Sequence, residues 1–502
     1  MIRATPIRGA GNTARDRAAE SLECALTSYA NDLSQPESAT PKGRSRFDRQ
    51  QPVWVIVSVL IAVEIISAFE TSMMFAAIPT LIVEFDSNAS TVGWAVTAFL
   101  LVSAASAAVC GRLGDMYGRE RILMVLLAVA ALGSMVSALG DSLTSIIIGR
   151  AIQGVAGAIL PLCIGLAREH LPASRVPVAV ALISGSAVAA GSASLLVAGL
   201  LIDNASWHMI FVVAAVYAIF ALLLVWFVLP WRRPTGTSEK IDYIGAVTFA
   251  GAVAAILLGV NKSQSWGWSD PRTLGLILGG AVALVLLVRW ELRTPSPIIN
   301  VRLFADRKFS LTMLATVAIA VGPLGVVTMI IPIIMQTPST GDFGLGLSAT
   351  HAGWLSFIGS LFGFVCTPLS GRISAAVGSR ASMLLGTALF IVGVVVMLTT
   401  HHSVVAMTAM VVVVSVATAF AYTAIPNLIV ESVPEHNTSE TTGTNAVLRT
   451  AGQGVGTSIA TMLLAFTATP LAGINMVGGM LIALSVVTIG ITLLIPRSVR
   501  TA

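Results

Sequence analysis

Three charged residues lie within long apolar stretches of the sequence, where they would be able to carry chemistry. Glu64 and Glu70 belong to the first such stretch, and Arg150 belongs to the fourth. If these stretches cross a bilayer, each charge is costly, at least about 2.5 to 3.5 kcal/mol for an Arg at the centre of a helix. Such residues usually mark a pathway for protons, ions or substrate.

The connected hypothesis is that Glu70 or Glu64 binds a proton or a cationic substrate and that Arg150 biases its charge state. Burial favours the neutral acid, whereas a nearby cation favours the carboxylate, so the group can change protonation as the site opens to each side. A static structural ion pair is the alternative. At 100° per residue, six residues turn the two carboxyl groups about 240° apart, so at most one shares a cavity with Arg150.

Small and polar residues accompany these charges. Gln153 lies one turn from Arg150, in a stripe of Gly149, Gly154, Gly157 and Ala158 that favours close helix packing. Ser184 to Ser194 is a second small-residue stretch, suited equally to packing and to gating. Prolines after Gly322 and at 332, 368 and 426 predict kinks, which line a cavity or are merely static. Further candidates for cavity contacts, besides Gln153, are Trp94, Tyr422, Asn427 and Asn445.

The elements that position these residues are predicted to be membrane helices. The chain has 502 residues, 56% hydrophobic and 11% charged, against about 25% charged in an ordinary soluble domain. About 20 apolar residues span the hydrocarbon core. Fourteen such runs occur, near Val53–Thr80, Thr91–Cys110, Ile122–Gly140, Leu143–Ala167, Val176–Ile202, Trp207–Leu229, Tyr243–Val260, Leu274–Trp290, Phe309–Gln336, Thr350–Ser370, Ala381–Thr399, Val404–Val430, Thr442–Phe466 and Leu471–Ile495.

The basic residues give the orientation of these helices. Nearly all of the 29 Lys and Arg lie in the amino tail and in alternate connectors, as expected of the cytoplasmic side. Lys262 and Arg272 alone are assigned to the other side, and Arg150 alone to a membrane segment. Both termini are therefore predicted to be cytoplasmic in a multi-pass protein of the cell (inner or plasma) membrane. The predicted regions are a flexible tail 1–52, a six-helix bundle 53–230, two extra helices with linkers 231–308, a second six-helix bundle 309–496 and a tail 497–502.

Several function classes lack their usual residues. The four cysteines have no C-x-x-C spacing, and the six histidines are scattered apart from His401-His402, so no metal site is expected. No phosphate-binding loop of the G-x-x-x-x-G-K-[ST] type occurs, and no catalytic constellation is evident. The net charge of +5 lies in connectors and does not indicate nucleic acid. We therefore expect a non-enzyme without cofactors, driven by an ion gradient.

An internal repeat relates the two bundles. Gly111 to Arg121 reads GRLGDMYGRER after the second helix, and Gly371 to Arg380 reads GRISAAVGSR at the equivalent place in the second bundle. Each begins with Gly-Arg and has Gly seven residues after the first Gly. Short loops of this kind need Gly, here Gly118 and Gly378, where the backbone must turn tightly or take positive φ. Two similar bundles are typical of transporters.

From about Val53 to Ile495 the chain resembles the major facilitator superfamily, and within it the fourteen-helix drug:proton antiporter group of the EmrB/QacA type. GRLGDMYGRER is similar to the superfamily loop motif. The resemblance implies a gating cluster on the cytoplasmic side that stabilises one access state. Its members would be Gly111, Arg112, Asp115, Gly118, Arg119 and Arg121.

Other segments carry the same resemblance. FETSMMFAAIP, from Phe69, is similar to the first-helix motif, with Glu70 in place of the usual Asp, and the stretch around Arg150 and Gln153 resembles a helix-four motif implicated in proton coupling. TGTNAVLRTAGQGVG, from Thr442, resembles the thirteenth helix, with matches at Asn445 and Arg449. The chain departs from the group in helix five, where Ala190-Gly191 replaces Gly-Pro although Gly199 is retained; the usual kink is not implied there.

These observations predict an all-α integral membrane protein with the major facilitator fold, expected as a monomer in the lipid bilayer. The expected activity is export of amphipathic or cationic small molecules in exchange for protons, by alternating access. Glu70 would exchange protons, Glu64 would be a second acid and Arg150 would couple them. Uptake of a metabolite or nutrient is the first alternative, and a membrane sensor that has lost transport is the second.

Overall fold

The computed structural model of the chain describes residues 51–496 except 88, 231–241, 296, 298, 338–343, 348, 400–402, 466 and 468. The predicted tails, apart from Gln51 and Pro52, lie outside the described residues, as do residues 231–241 of the predicted linker and the pair His401-His402. Every long element in the described part is a helix.

In the described part of the chain, fourteen long helices follow one another. The first six are α1 Val53–Glu84, α2 Trp94–Tyr117, α3 Arg119–Leu139, α4 Leu143–His170, α5 Val176–Asn204 and α6 His208–Val228. Two more, α7 Tyr243–Trp266 and α8 Pro271–Glu291, precede the second set. That set comprises α9 Arg307–Gln336, α10 Ala349–Val377, α11 Ser379–Thr399, α12 Val404–Val430, α13 Thr438–Ala465 and α14 Pro470–Leu494.

Thirteen of these helices are long and apolar enough to cross a membrane, counting the described residues only. The exception, α13, has 28 residues, about 42 Å at 1.5 Å per residue and therefore longer than the roughly 30 Å hydrocarbon core. Its first half is rich in Thr and also contains Ser439, Glu440, Asn445 and Arg449, which lowers the apolarity of the helix but not its length. The prediction of an all-α membrane fold is confirmed.

Two helices are broken where small residues or proline disturb the backbone. A 3-10 turn at Gly154–Ala158 divides α4, and there a Cβ on Gly157 would clash with Ser103 of α2. The predicted close packing of this stripe is confirmed, although the break itself was not predicted. In α9 the backbone at Gly322 is non-helical, with φ −92° and ψ −112°, directly before Pro323. By contrast, α5 runs unbroken through Ala190-Gly191, where the family's proline is missing.

The buried side chains form two large cores, one in each set of six helices. One core contains residues between Ile56 and Leu229, and the other contains residues between Phe309 and Ile495. A smaller third core joins α7 and α8 to α2 and α13. The two halves meet along α2 with α13 and along α5 with α10 and α12. Since α7 contacts both α2 and α13, the extra pair lies over the first of these seams.

The repeated loop motif produces the same turn in both halves. Gly118 has φ 102° and Gly378 has φ 101°, and each ends one helix and precedes the next. Side chains with a Cβ are strained in this region, so glycine is needed at both places. Of the two reasons expected for glycine in these loops, the structure shows positive φ at both. We call the end of the helices at which Gly118, Arg175 and Gly378 lie the basic end.

The structure corrects the placement of two cations. Arg449, assigned with the connector after the twelfth helix in the count of basic residues, lies inside α13. Arg150 is therefore not the only cation inside a membrane helix. The predicted run Thr442–Phe466 already contains Arg449, so the error lies in the count of basic residues and not in the predicted helix. Lys262 also lies in a helix, because α7 continues to Trp266, past the predicted end at Val260.

Candidate functional site

A central cavity lies between the two halves of the molecule. It encloses about 910 Å³, including space open to solvent. The first half contributes Glu64, Ser67 and Thr71 from α1, Ser103 from α2, Leu160 from α4 and Gly191 from α5. The second half contributes Tyr422 from α12 and Ala446, Arg449, Thr450 and Gln453 from α13. Both halves thus supply polar groups to one shared space.

Glu64 and Arg449 are the two charged residues of this cavity wall. Glu64 is 2% exposed, and its Oε2 has no hydrogen-bond partner among the described residues. Arg449 stacks its guanidinium 4.3 Å from the centre of the Tyr422 ring, and its buried Nε likewise lacks a partner in the described part. Arg449 acts electrostatically on Glu64. The wall therefore carries one acid from the first half and one base from the second.

Glu70 and Arg150 lie together in a separate buried network of the first half. Both are 0% exposed. Arg150 Nη1 donates to the main-chain carbonyl of Glu70 at 2.8 Å and to Gln153 Oε1 at 3.0 Å. Gln153 Nε2 donates to Ser134 Oγ at 2.6 Å, and Ser134 Oγ donates to Glu70 Oε1 at 3.1 Å. Four side chains from α1, α3 and α4 thus form one connected polar chain.

This network is not a closed ion pair. Glu70 Oε2 and Arg150 Nη2 have no hydrogen-bond partner among the described residues, although Arg150 acts electrostatically on Glu70. The Arg150 guanidinium also lies 4.1 Å from the centre of the Phe99 ring. Glu70 is thus placed beside Arg150, and Glu64 faces the cavity, so the two carboxylates occupy the different directions expected from their spacing. Glu70 Oε2 could therefore bind or release a proton without breaking a hydrogen bond.

Only one of the five residues expected to contact substrate lines this cavity, namely Tyr422. Trp94 instead stacks under Lys262, with Nζ 4.4 Å from its ring centre, and Gln153 belongs to the Arg150 network. Asn427 donates to the Pro177 carbonyl at 3.1 Å, and Asn445 donates to Thr316 Oγ1 at 2.8 Å. These four therefore lie outside the cavity wall, and the amide groups of Gln153, Asn427 and Asn445 are used in contacts within the protein.

A charge cluster at the basic end joins the two halves through Arg119. Its Nε donates to Asp115 Oδ1 and to Ser439 Oγ, both at 2.9 Å, and its Nη1 contacts Glu169 Oε2 at 2.9 Å. Its Nη2 donates to the Glu435 carbonyl at 2.6 Å. Ser439 and Glu435 belong to the second half, so Arg119 ties α13 and the loop before it to the first half.

Glu440 extends the cluster across the same interface. Its main-chain N–H donates to Asp115 Oδ2 at 2.9 Å, and its carboxylate lies 3.4 Å from Arg112 Nη1. Glu440 Oε1 also accepts from the main-chain N–H of Asn300, in the linker after α8, at 2.6 Å. Sequence reasoning missed Glu169, Glu435, Ser439 and Glu440. The sequence signal that could have identified this side of the cluster is the pair of acids at the polar start of α13, Glu435 and Glu440.

One predicted member of the cluster lies elsewhere. Arg121 is exposed and takes part in none of the ion pairs or hydrogen bonds found among the described residues. It follows Arg119 by two positions on α3, and this spacing points it to another side of the helix. The expectation that Arg121 belongs to the cluster is therefore corrected.

Further contacts between the halves also lie at the basic end. Arg168 Nη1 donates to Thr438 Oγ1 at 2.8 Å, and Asn427 bonds the Pro177 carbonyl, as noted above. Near the opposite ends of α5 and α10, Gly199 and Gly353 have no atom within 4 Å of an added Cβ. The structure therefore shows the state in which the basic end is closed.

Gly111 offers a test of this closure. An added Cβ would lie 2.5 Å from the Ser439 carbonyl oxygen, and main chain cannot move aside as a flexible side chain would. We expect Gly111→Ala to weaken closure and to increase labelling of a cavity cysteine from the basic end by about tenfold, as for a shift of about 1.4 kcal/mol. Gly251→Ala on α7, where no atom lies within 4 Å, is the matched control. Equal labelling of both variants would contradict the closure.

Glu120, Glu169 and His170 also cluster at the basic end, with ligand atoms within 4.8 Å of one another. Both His170 ring nitrogens lie 3.1 Å from carbonyl oxygens, those of Leu166 and Pro230, and Glu169 already binds Arg119. These groups are thus used within the protein, and we do not assign a metal ion to them.

Comparison with known proteins places this architecture in a family. The family model of the Major Facilitator Superfamily matches residues 60–337 and 312–501. The human organic anion transporter MFSD10 (TETRAN) has a similar fold, with a TM-score of 0.62 at 14% identity over 88% of this chain and 100% of that one.

Three relatives share more of the sequence. The tetracenomycin C resistance and export protein of Streptomyces glaucescens is 26% identical over 55% of this chain and 52% of its own length. The multidrug export protein EmrB of Haemophilus influenzae is 27% identical over 62% and 60%. A uridine/deoxyuridine transporter of Lactococcus lactis is 27% identical over 68% and 72%. The chain thus spans between about half and three fifths of the length of the first two. With its fold and the match of the family model to both halves, the chain belongs to the Major Facilitator Superfamily.

Proposed function

We propose that this protein exports amphipathic or cationic small molecules in exchange for protons, by alternating access. The observation that carries the proposal is the central cavity, which both halves line, which holds the buried carboxylate of Glu64 and which is closed at the basic end. A cavity of this kind fits a cationic group at Glu64 and an apolar body beside Leu160. The export proteins among the relatives support this direction of transport.

In this proposal Glu70 exchanges the proton and Arg150 couples it to the rest of the protein. Arg150 holds the main chain of α1 at Glu70 and stays near the carboxylate without pairing with it. Six residues earlier on α1, Glu64 faces the substrate. A change in the charge of Glu70 would therefore move or stiffen the helix that carries Glu64. The cluster of Asp115, Arg119 and Glu440 stabilises the state closed at the basic end.

The energy comes from the ion gradient, and no cofactor is proposed. Moving one charge through the membrane potential supplies about 2.3 kcal/mol per 100 mV. We place the protein in the cell membrane as a monomer with both termini and the basic end on the cytoplasmic side, because the connectors at that end carry most of the Lys and Arg.

Efflux from everted vesicles tests the proposal. The basic end would face the medium there, and acidification of the lumen should drive a cationic dye inward. For exchange of one proton, each pH unit should support about a tenfold accumulation of dye, since tenfold corresponds to about 1.4 kcal/mol. Vesicles without the protein and vesicles treated with a protonophore are the controls. Dye movement that does not depend on the pH gradient would overturn proton antiport.

Uptake of a nucleoside or similar metabolite is the second candidate, because one relative is a uridine/deoxyuridine transporter. Uptake coupled to proton entry would make the outside medium alkaline when substrate is added to intact cells. Export predicts instead that protons enter the cell only while the substrate leaves the cell. Measuring external pH after a pulse of uridine, or of dye in preloaded cells, separates the two.

A further inference from the structure

We propose that the cavity selects zwitterionic substrates, with a cationic group at Glu64 and a carboxylate or similar anion at Arg449. This inference rests on the proposed function, since it names the class of molecule that the same cavity takes. The inferred substrate is not purely cationic, because the second half of the protein contributes Arg449 to the cavity wall. The charge of the lining is balanced, because the wall contains one acid and one base.

Arg449 is arranged as a binding group. None of the hydrogen bonds and ion pairs found among the described residues involves it, while its guanidinium is held by the Tyr422 ring at 4.3 Å. Stacking on an aromatic face fixes the plane of the guanidinium and leaves its edge free. That edge presents paired N–H donors whose geometry matches a carboxylate. Arg119, at the basic end, differs in this respect, because its donors are occupied by protein acceptors.

Glu64 is the complementary group. It is 2% exposed and has an oxygen without a partner, and it does not approach any described basic nitrogen within 4.0 Å. Glu64 and Arg449 therefore line the same cavity without a direct bond between them. Charges that are removed from water without a partner are costly.

The charge balance discriminates between classes of ligand. A cation at Glu64 alone would leave Arg449 unpaired and would feel its repulsion. An anion at Arg449 alone would face the same difficulty with Glu64. A molecule with both charges, separated by an apolar body, pairs each of them with an opposite charge. It also has a fixed orientation, because the acid belongs to the first half and the base to the second.

The orientation has a consequence for transport. The ligand bridges α1, which carries both Glu64 and Glu70, to α13, which carries both Arg449 and the contacts of Ser439 and Glu440 at the basic end. A zwitterion would thus link one helix of the first half to one helix of the second. A cation would contact only one of them. Selection is therefore expected in binding and not only in transport.

Rhodamine 123 and rhodamine 110 are a matched pair of probes. They share one xanthene cation and differ in that the first is a methyl ester, hence a cation, and the second has a free carboxylate, hence a zwitterion at neutral pH. Binding is measured on the purified full-length protein in detergent by fluorescence anisotropy, which needs no gradient. We expect the zwitterion to bind about tenfold more tightly than its ester, as for one charge-assisted hydrogen-bonded pair.

Two variants locate the origin of the preference. Arg449→Gln should bring the ratio of the two affinities close to one by weakening the zwitterion, and Arg449→Lys, which keeps the charge, should retain part of the ratio. Arg289→Gln, on the exposed surface of α8, is the matched control and should keep the full ratio. Equal affinities in the wild type, or an unchanged ratio in Arg449→Gln, would overturn the inference.

The outcomes for the two proposals are separable. If the ratio is as expected but the dye does not follow the pH gradient in vesicles, the proposed antiport fails and the zwitterion site stands. If the gradient drives both dyes while binding shows no preference, the antiport stands and the zwitterion site fails. Because the ratio is measured first on the wild type, a variant that does not fold leaves the inference testable.

Discussion

Arg119→Gln is expected to open the basic end and to abolish most of the transport. The guanidinium is 5% exposed and makes two bonds to the second half, with Ser439 Oγ and the Glu435 carbonyl. A hydrogen bond to a charged group contributes about 1.5 to 3 kcal/mol. Loss of both would weaken the closed state by about 3 kcal/mol, which is roughly a hundredfold change in population.

A cysteine at the cavity wall reports this change. Ala446→Cys, in a background without the four natural cysteines, places a thiol on α13 that a membrane-impermeant maleimide reaches from one side at a time. In everted vesicles, Arg119→Gln should speed labelling by at least about tenfold relative to the parent. In right-side-out cells the same substitution should slow it, because the opposite end then closes more often.

Arg121→Gln is the matched control, with the same change of charge two residues away. Arg121 is exposed and lies outside the cluster, so its substitution should change neither labelling rate by more than about twofold, as is usual for surface sites. Equal effects of the two substitutions would contradict the role given to Arg119 and would favour a general effect of positive charge at the basic end.

The sequence predicted most of the fold because membrane helices are defined by local properties. The length and apolarity of each helix, and the turn glycines Gly118 and Gly378, can be recognised within a short segment of sequence. The structure contains each of these features. The exception was Arg449, which the count of basic residues assigned to a connector although the predicted run Thr442–Phe466 contains it. The break of α4 at Gly154–Ala158 also escaped, because it depends on the close approach of α2 and not on the α4 sequence alone.

The sites were less predictable because they depend on contacts between distant parts of the chain. The bond from the Glu440 N–H to Asp115 joins residues 325 positions apart, and no periodicity relates them. Helix geometry did separate Glu64 from Glu70, since their angle follows from their spacing. It did not tell which carboxylate faces the cavity, because that depends on how α1 rotates against α4 and α5.

Substitution of Glu70 should remove proton coupling, whereas substitution of Glu64 should remove substrate binding. Glu70 lies behind the cavity wall in the Arg150 network, so Glu70→Gln keeps the oxygen that accepts from Ser134 while it removes the ionisable group. Proton binding and substrate binding are linked reciprocally. Without a titrating group at this site, the substrate should still bind at Glu64 and cross the membrane, but its movement should no longer be driven by the proton gradient.

In everted vesicles Glu70→Gln should therefore lower the gradient-driven accumulation of dye by at least about tenfold, the ratio that one pH unit supplies to a coupled carrier. Exchange of labelled for unlabelled dye, without a gradient, should persist within about threefold of the wild type, because the Glu64 wall is intact. Glu84→Gln, exposed at the end of the same helix, should leave both rates unchanged. If Glu70→Gln accumulates dye as well as the wild type, the proton site is Glu64 and not Glu70. If the variant loses exchange as well as accumulation, Glu70 is a structural residue of the Arg150 network.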